Sequence, residues 1–146
     1  MLCRELIGKC RGFEADLIIG PALGGMIFGF TVARLTGLRF IYCERKDGVM
    51  TLRRGFSIQE NARVVVVEDM VTTGGSVREV MEIVRAFGAQ VTGIAAITDR
   101  TRGRIDFGVP FVSLVQIDMN YYPSEFCPLC EAGIPLIQGR RGAVSK

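Results

Sequence analysis

The sequence predicts an α/β protein built on a central, mainly parallel five-stranded sheet flanked by helices. Three observations carry this expectation. Apolar runs that suit buried strands alternate with segments of helical character, the pattern of βαβ units joined by right-handed crossovers. The run Val64, Val65, Val66, Val67 is apolar at every position, as suits a strand covered on both faces of a parallel sheet. Functional residues also stand at the ends of four predicted strands: Gly20 to Gly25, Glu44 with Arg45, Glu68 with Asp69, and Asp99 with Arg100. Parallel strands deliver their ends to one edge of the sheet, where open α/β folds bind ligands.

Taken in order, residues 1–9 read as helix and 16–20 as a short buried strand. Residues 21–25 form a turn, and 26–35 an apolar helix closed by Gly37. Residues 39–43 make a second strand. The segment 44–56 is polar, basic and glycine-containing, and reads as an exposed loop or loose hairpin. The third strand, 63–67, precedes a helix over 77–87 that stops at Gly88. Strands at 91–98 and 111–117 bracket a loop, 99–106, that carries Arg100, Arg102 and Arg104. Residues 118–146 read as an irregular tail rich in Pro, Gly and Tyr. There is no internal repeat or low-complexity tract, and 146 residues make one domain with a real core.

Composition narrows the classes. Apolar content of 49% with 23% charged residues indicates a globular chain. The mean hydropathy of +0.31 is high for a small soluble domain. Buried parallel strands explain much of it, and an apolar subunit interface would explain the rest. No apolar run approaches the roughly 20 residues that span a bilayer, so no membrane role is expected. A net charge of +3 is too modest to imply nucleic acid. The cations cluster, with Arg45, Lys46, Arg53 and Arg54 in one segment and Arg100, Arg102 and Arg104 in another. That pattern suits a small polyanion; the competing reading is solvated surface charge. The N-terminus shows no apolar signal segment, and five cysteines, an odd number, suit reduced thiols in the cytoplasm. The chain has no histidine, which excludes histidine general bases, Ser-His-Asp triads and histidine-ligated metals within it.

The strongest motif is the stretch 64–76. Four valines run into Glu68 and Asp69, then into Thr72, Thr73, Gly74, Gly75 and Ser76 ahead of a helix. Thr, Gly and Ser at a helix N-terminus offer free backbone N–H groups, hydroxyls and the positive end of a dipole, an anion site. Adjacent carboxylates beside it can hydrogen-bond vicinal hydroxyls or hold Mg²⁺ directly or through water. A ribose 5-phosphate meets both demands. The competing reading is an acidic capping region for the next helix. No Lys follows the glycines, so this is not a Walker A loop, and the dinucleotide glycine fingerprint is absent.

The stretch 64–76 resembles the phosphoribosyl pyrophosphate (PRPP) motif of type I phosphoribosyltransferases. With Gly20-Pro21-Ala22-Leu23-Gly24-Gly25, the basic segment 44–56 and Asp99-Arg100, the chain resembles the orotate phosphoribosyltransferases over roughly 16–137. The resemblance implies transfer of the 5-phosphoribosyl group from PRPP to orotate, giving orotidine 5′-monophosphate and pyrophosphate. Thr72, Thr73, Gly74, Gly75 and Ser76 would hold the 5-phosphate. Glu68 and Asp69 would hold the ribose hydroxyls and steady charge on an oxocarbenium-like ribose. Ala22, Leu23, Gly24 and Gly25, with Lys46 and Arg54, would bind pyrophosphate; a tight strand-to-helix turn is the competing reading of the glycine segment. Arg45, ahead of Arg53, would be the catalytic cation of a mobile loop that reaches the partner subunit's site, which implies a homodimer. Thr72 and Arg100 would bind orotate, the guanidinium pairing with its carboxylate; a surface salt bridge from Arg100 to Asp99 or Asp106 is the competing reading. Mg²⁺ would ride mainly on PRPP, with no direct protein ligand.

The loop departs from the enterobacterial form, which carries Lys-Asp-His-Gly; here it runs Lys46-Asp47-Gly48-Val49-Met50. The family also has an N-terminal hood over the base. This chain starts a short way before Asp16, so the expectation is a chain that binds PRPP and Mg²⁺ and turns orotate over weakly or not at all. Alternatives are a purine or uracil phosphoribosyltransferase, a non-catalytic PRPP-sensing regulator, or a catalytically silent short form. Cys127-Pro128-Leu129-Cys130 lacks a second pair or a histidine to complete a zinc site. A structural or incidental role is expected, with a site shared across a dimer as the alternative.

Overall fold

The computed structural model describes residues 1–119, 122 and 124–135. The elements run α1 (Leu2–Lys9), β1 (Leu17–Pro21), α2 (Gly24–Thr36), β2 (Arg39–Lys46), β3 (Val49–Leu52), β4 (Arg63–Val71), α3 (Gly75–Ala86), β5 (Gln90–Asp99), β6 (Phe111–Gln116) and a short α4 (Pro128–Glu131). Among the described residues the sheet has six strands in the order β3-β2-β1-β4-β5-β6. All neighbours are parallel except β2 and β3.

The valine run of β4 explains the two-sided core. Val64 and Val66 pack with Ile19, Ile41 and Ile94 against Val77, Val80, Met81 and Val84 of α3. Val65 and Val67 turn to the other face, where Cys3 and Leu6 of α1 and Val32 and Ala33 of α2 cover them. Successive strand side chains point to opposite faces, so a helix layer on each face leaves no position of the run for a polar residue. The predicted α/β class therefore holds.

The sequence expectation of five strands misses one. Residues 44–46 extend β2, turn at Asp47 and Gly48, and pair antiparallel with β3, from Lys46 opposite Val49 to Cys43 opposite Leu52. Both turn residues have positive φ, 51° and 84°, the type I′ geometry that matches strand twist. The segment read as a loop or loose hairpin is thus a regular hairpin at the sheet edge. The third predicted strand is also longer, running to Val71 with Met70 opposite Thr98 and Val71 opposite Asp99. Part of the expected tail, 118–146, falls on described residues, including α4; the remainder, and the end of the resemblance near 137, lie outside them.

The sheet topology positions the site. β1 sits between β2 and β4, so the chain winds one way from β1 to β2 and the other way to β4. β1 pairs with β4 only from Leu17 to Ile19, opposite Val64 to Val66. Beyond Val66 the two strands part, and the chain after β1 fills the gap. This is a topological switch point, where such sheets open a crevice.

Candidate active site

Glu68 and Asp69 lie on the part of β4 that has lost its β1 neighbour. The Gly24 backbone approaches so closely that a Cβ there would fall on the Asp69 carboxylate. No side chain larger than hydrogen fits without moving the acid. Glu68 is buried, 6% exposed. Its Oε1 accepts the Asp69 N–H at 3.0 Å, and Asp69 Oδ1 accepts the Met70 N–H at 2.7 Å. Burial, then a hydrogen bond shared with the Asp69 side chain, pushes the Glu68 carboxyl up to about 8. Near neutral pH Glu68 is mostly protonated, able to donate as well as accept, beside a half-buried aspartate.

Two helix N-termini open here. α2 begins at Gly24 and α3 at Gly75; neither has a side-chain cap or an acidic residue in its first turn. The first N–H groups of an α-helix have no partner within it, and the dipole favours an anion. The Ala22–Leu23 peptide between β1 and α2 is cis. Gly74 caps α3 with φ 73°. A Cβ there would meet Phe107 Cε1 at 2.9 Å, so conformation and crowding both require glycine.

Thr72 and Thr73 share a cleft of about 460 Å³ with Arg100, Thr101, Arg102, Arg104 and Ile105. The loop after β5 is tightly specified. Buried Asp99 accepts the Thr101 N–H at 2.7 Å, and Thr101 Oγ1 accepts the Gly103 N–H at 3.1 Å. Arg102 hydrogen-bonds the Met119 carbonyl at 2.6 Å and pairs with Asp118. From α3, Arg78 donates to the Asp106 carbonyl at 2.8 Å and lies 5.2 Å from the Phe107 ring centre. The Arg100 N–H bonds the Val71 carbonyl at 2.8 Å, and its Nη1 lies 3.1 Å from Met70 Sδ. The loop is thereby tied to the end of β4 and to α3.

The β2–β3 hairpin and the turn that follows it carry the other cations. The pairing of β2 with β1 ends at Cys43 opposite Pro21, so 44–46 project past the crevice edge. Arg45 pairs with Glu79 of α3 at 2.7 Å. Arg53 and Arg54 both reach Glu44, each at 3.1 Å. The hydrogen bond from Arg54, ahead of the charges of Arg54 and Arg53, holds the Glu44 carboxyl below its ordinary range.

Comparison with known proteins decides the family. The model of the phosphoribosyl transferase domain matches residues 1–129. An orotate phosphoribosyltransferase of Caldanaerobacter subterraneus subsp. tengcongensis is 54% identical over 135 residues, 92% of this chain and 71% of the relative. The chain belongs to the orotate phosphoribosyltransferase family. Another relative of that name, from Thermotoga maritima, is 47% identical over 94% of this chain and 74% of its own length. The structure also resembles the orotate phosphoribosyltransferase of Aeropyrum pernix, with a TM-score of 0.63 at 25% identity over 80% of this chain and 68% of that one. An adenine phosphoribosyltransferase of Thermoanaerobacter pseudethanolicus gives 0.71 at 24% identity over 80% and 78% of the two chains, a likeness of fold.

For a member of this family, the fold gathers some expected site residues and separates others. Gly24 and Gly25 meet the carboxylate pair, and Thr72, Thr73 and Arg100 share one cleft. Ala22 and Leu23 form the approach to α2, and Gly74, Gly75 and Ser76 the start of α3. Arg45, Arg53 and Arg54 instead engage Glu79 and Glu44, while Lys46 is exposed on the hairpin. Thr101 and Arg104 are cleft residues that the sequence reading left unassigned. A signal existed: Asp99, Thr101 and Gly103 at two-residue spacing suit successive Asx and hydroxyl turns.

Proposed function

We propose that this chain transfers the 5-phosphoribosyl group from PRPP to orotate, releasing pyrophosphate, in the route to pyrimidine nucleotides. The observation that carries the reading is the cleft shared by Thr72, Thr73 and Arg100, next along β4 from the acidic pair, in a chain 54% identical to a protein named for this activity. The C1′–oxygen bond to pyrophosphate breaks and a C1′–nitrogen bond to the base forms. The α3 start, Thr72 to Ser76, takes the 5-phosphate through backbone N–H groups and hydroxyls. The α2 start, Ala22 to Gly25, takes the pyrophosphate. Protonated Glu68 donates to a ribose hydroxyl, and Asp69 accepts from one and opposes the positive charge growing on the ring.

Arg100 pairs with the orotate carboxylate, a bidentate match that fixes the orientation of the base. Orotate deprotonated at its reacting nitrogen needs no protein base. The hairpin cations Arg45, Lys46, Arg53 and Arg54 neutralise the leaving pyrophosphate and exclude water. Arg45, Arg53 and Arg54 now pair with Glu79 and Glu44, near-surface ion pairs weak enough for a pyrophosphate to displace. Mg²⁺ belongs to the same proposal: bound with PRPP, it spreads the leaving group's negative charge. A protonated Glu68 would be a poor metal ligand, so PRPP would carry most of the ion's coordination, with Asp69 the carboxylate of the pair able to steady it directly or through water.

The working unit is a homodimer in the cytoplasm, formed by one domain per chain. Its support is an apolar face on α2 and the adjoining strand: Met26, Ile27, Phe30, Phe40, Tyr42 and Phe56 line one groove, with Ile27 69% and Phe30 58% exposed. No helix among the described residues is long and apolar enough to cross a membrane. In this proposal the apolar face meets a second copy, whose site the hairpin would reach. The test is product identity. Incubation with PRPP, Mg²⁺ and orotate should yield orotidine 5′-monophosphate by mass spectrometry. Its absence, with the chain folded and PRPP bound, would favour a PRPP sensor. The same rate measurement decides the expectation of weak turnover.

A further inference from the structure

One acceptor that touches the Arg100 guanidinium is a sulfur. Arg100 Nη1 donates to Met70 Sδ at 3.1 Å. Strand register builds this contact. On β4 and β5, Met70 lies opposite Thr98 and Val71 opposite Asp99, and the Arg100 N–H bonds the Val71 carbonyl at 2.8 Å. The Met70 N–H is held in turn by Asp69 Oδ1 at 2.7 Å. Both backbones are therefore fixed, and the two side chains meet beside the cleft of Thr72, Thr73 and Arg100. Met70 is also open to solvent, 41% exposed, whereas Met50 and Met81 are buried in the core. Met1 and Met119 share that exposure; the bond to Arg100 is what gives a change at Met70 a consequence for the site.

We propose that Met70 is a modification site for peroxides, and that its sulfoxide competes with the base carboxylate for Arg100. The inference rests on the reading of Arg100 as the orotate-binding residue. A lone pair on Met70 Sδ attacks one oxygen of hydrogen peroxide. The O–O bond breaks, an S–O bond forms, and the other oxygen leaves as water with both protons of the peroxide. The sulfur loses two electrons and the peroxide gains them.

The change of acceptor gives the effect its direction. A thioether sulfur is a weak acceptor, so in the reduced chain its bond to Arg100 yields to a carboxylate. Oxidation turns this apolar side chain into a polar one. The sulfoxide oxygen carries partial negative charge, and a bond to it from a guanidinium is charge-assisted, stronger than one between neutral groups. That oxygen occupies an N–H of the fork whose planar, bidentate geometry matches a carboxylate. The base loses part of its anchor. The 5-phosphate grip at the start of α3 stands apart from this contact and keeps its strength.

The experiment treats the full chain with hydrogen peroxide, then with dithiothreitol to reduce oxidised thiols, and locates added oxygen by peptide mass spectrometry. Calorimetry then compares the affinities for orotidine 5′-monophosphate and for uridine 5′-monophosphate, which lacks only the carboxylate. Neither titration needs turnover. The expected result is one oxygen on Met70 and a loss of at least about fivefold in affinity for orotidine 5′-monophosphate, with uridine 5′-monophosphate changed by less than about twofold. Methionine sulfoxide reductases acting on both epimers should restore the lost affinity. In Met70→Leu, whatever its starting affinity, peroxide should cause no further loss. Circular dichroism checks the fold of the oxidised chain and of the variant. A Met70 sulfoxide with undiminished affinity for orotidine 5′-monophosphate would overturn the proposal, as would an equal loss in Met70→Leu. So would a Met70 that stays reduced while Met1 and Met119 oxidise. Equal affinity for the two nucleotides before oxidation would instead remove Arg100 from base recognition, and this inference with it.

Discussion

Single residues carry the chemistry. Arg100→Ala should lower kcat/KM for orotate by about 10- to 100-fold, the worth of one or two charge-assisted hydrogen bonds, while PRPP affinity stays within about twofold. Steady-state kinetics with PRPP binding measured separately would check this; unchanged orotate kinetics would remove Arg100 from base recognition. Glu68 makes a prediction about pH. Its carboxyl is raised from an ordinary 4.5 to about 8 in the fold, so between those values the folded state holds a proton that the unfolded chain releases. Stability should fall as pH rises through that window and level off above it. Glu68→Gln keeps a neutral group of similar shape and should flatten that part of the profile, as seen in melting temperatures from pH 5 to 9. The position of the acidic pair at the crevice was legible in the sequence, because a buried valine run must end at the sheet edge where open α/β folds bind ligands. The protonation of Glu68 was not, since it depends on how closely the chain after β1 covers it.

At the scale of elements, the site is where two helix starts meet the end of one strand. Gly24→Ala should displace Asp69, cutting turnover by more than about tenfold with a modest loss of stability. Gly74→Ala adds a Cβ against Phe107 at a φ of 73°, and should cost at least about 1–2 kcal/mol by chemical denaturation. Retention of full stability in that variant would contradict the account of the α3 start. The valine run made β4 and its two-sided burial readable in advance. The β2–β3 hairpin was half legible, since Asp47-Gly48 is a turn signal but the flanks are too polar and basic to read as strand. Pairing of Arg45 with Glu79 of α3 could not be read at all, because it depends on α3 lying over the hairpin.

For the whole molecule, one sheet edge gathers the candidate site, and one apolar face on α2 is where the proposed second copy would sit. Phe30→Glu would place a charge in that face. Sedimentation should show wild-type dimer and a monomeric variant at micromolar concentration, with turnover falling if the hairpin serves the partner's site. A wild-type monomer would refute the shared-site reading. The strand ends made the crevice legible, because a parallel sheet must bring them together. The groove on α2 was foreshadowed only by high hydropathy, which cannot say which apolar residues stay outside. The most direct measurement of the central claim is pyrophosphate release from PRPP and Mg²⁺ with orotate, uracil, hypoxanthine and adenine supplied one at a time. Release with orotate alone, lowered about 10- to 100-fold at the same sub-saturating base concentration in Arg100→Ala, is the predicted result. Release with adenine or hypoxanthine and none with orotate would contradict it.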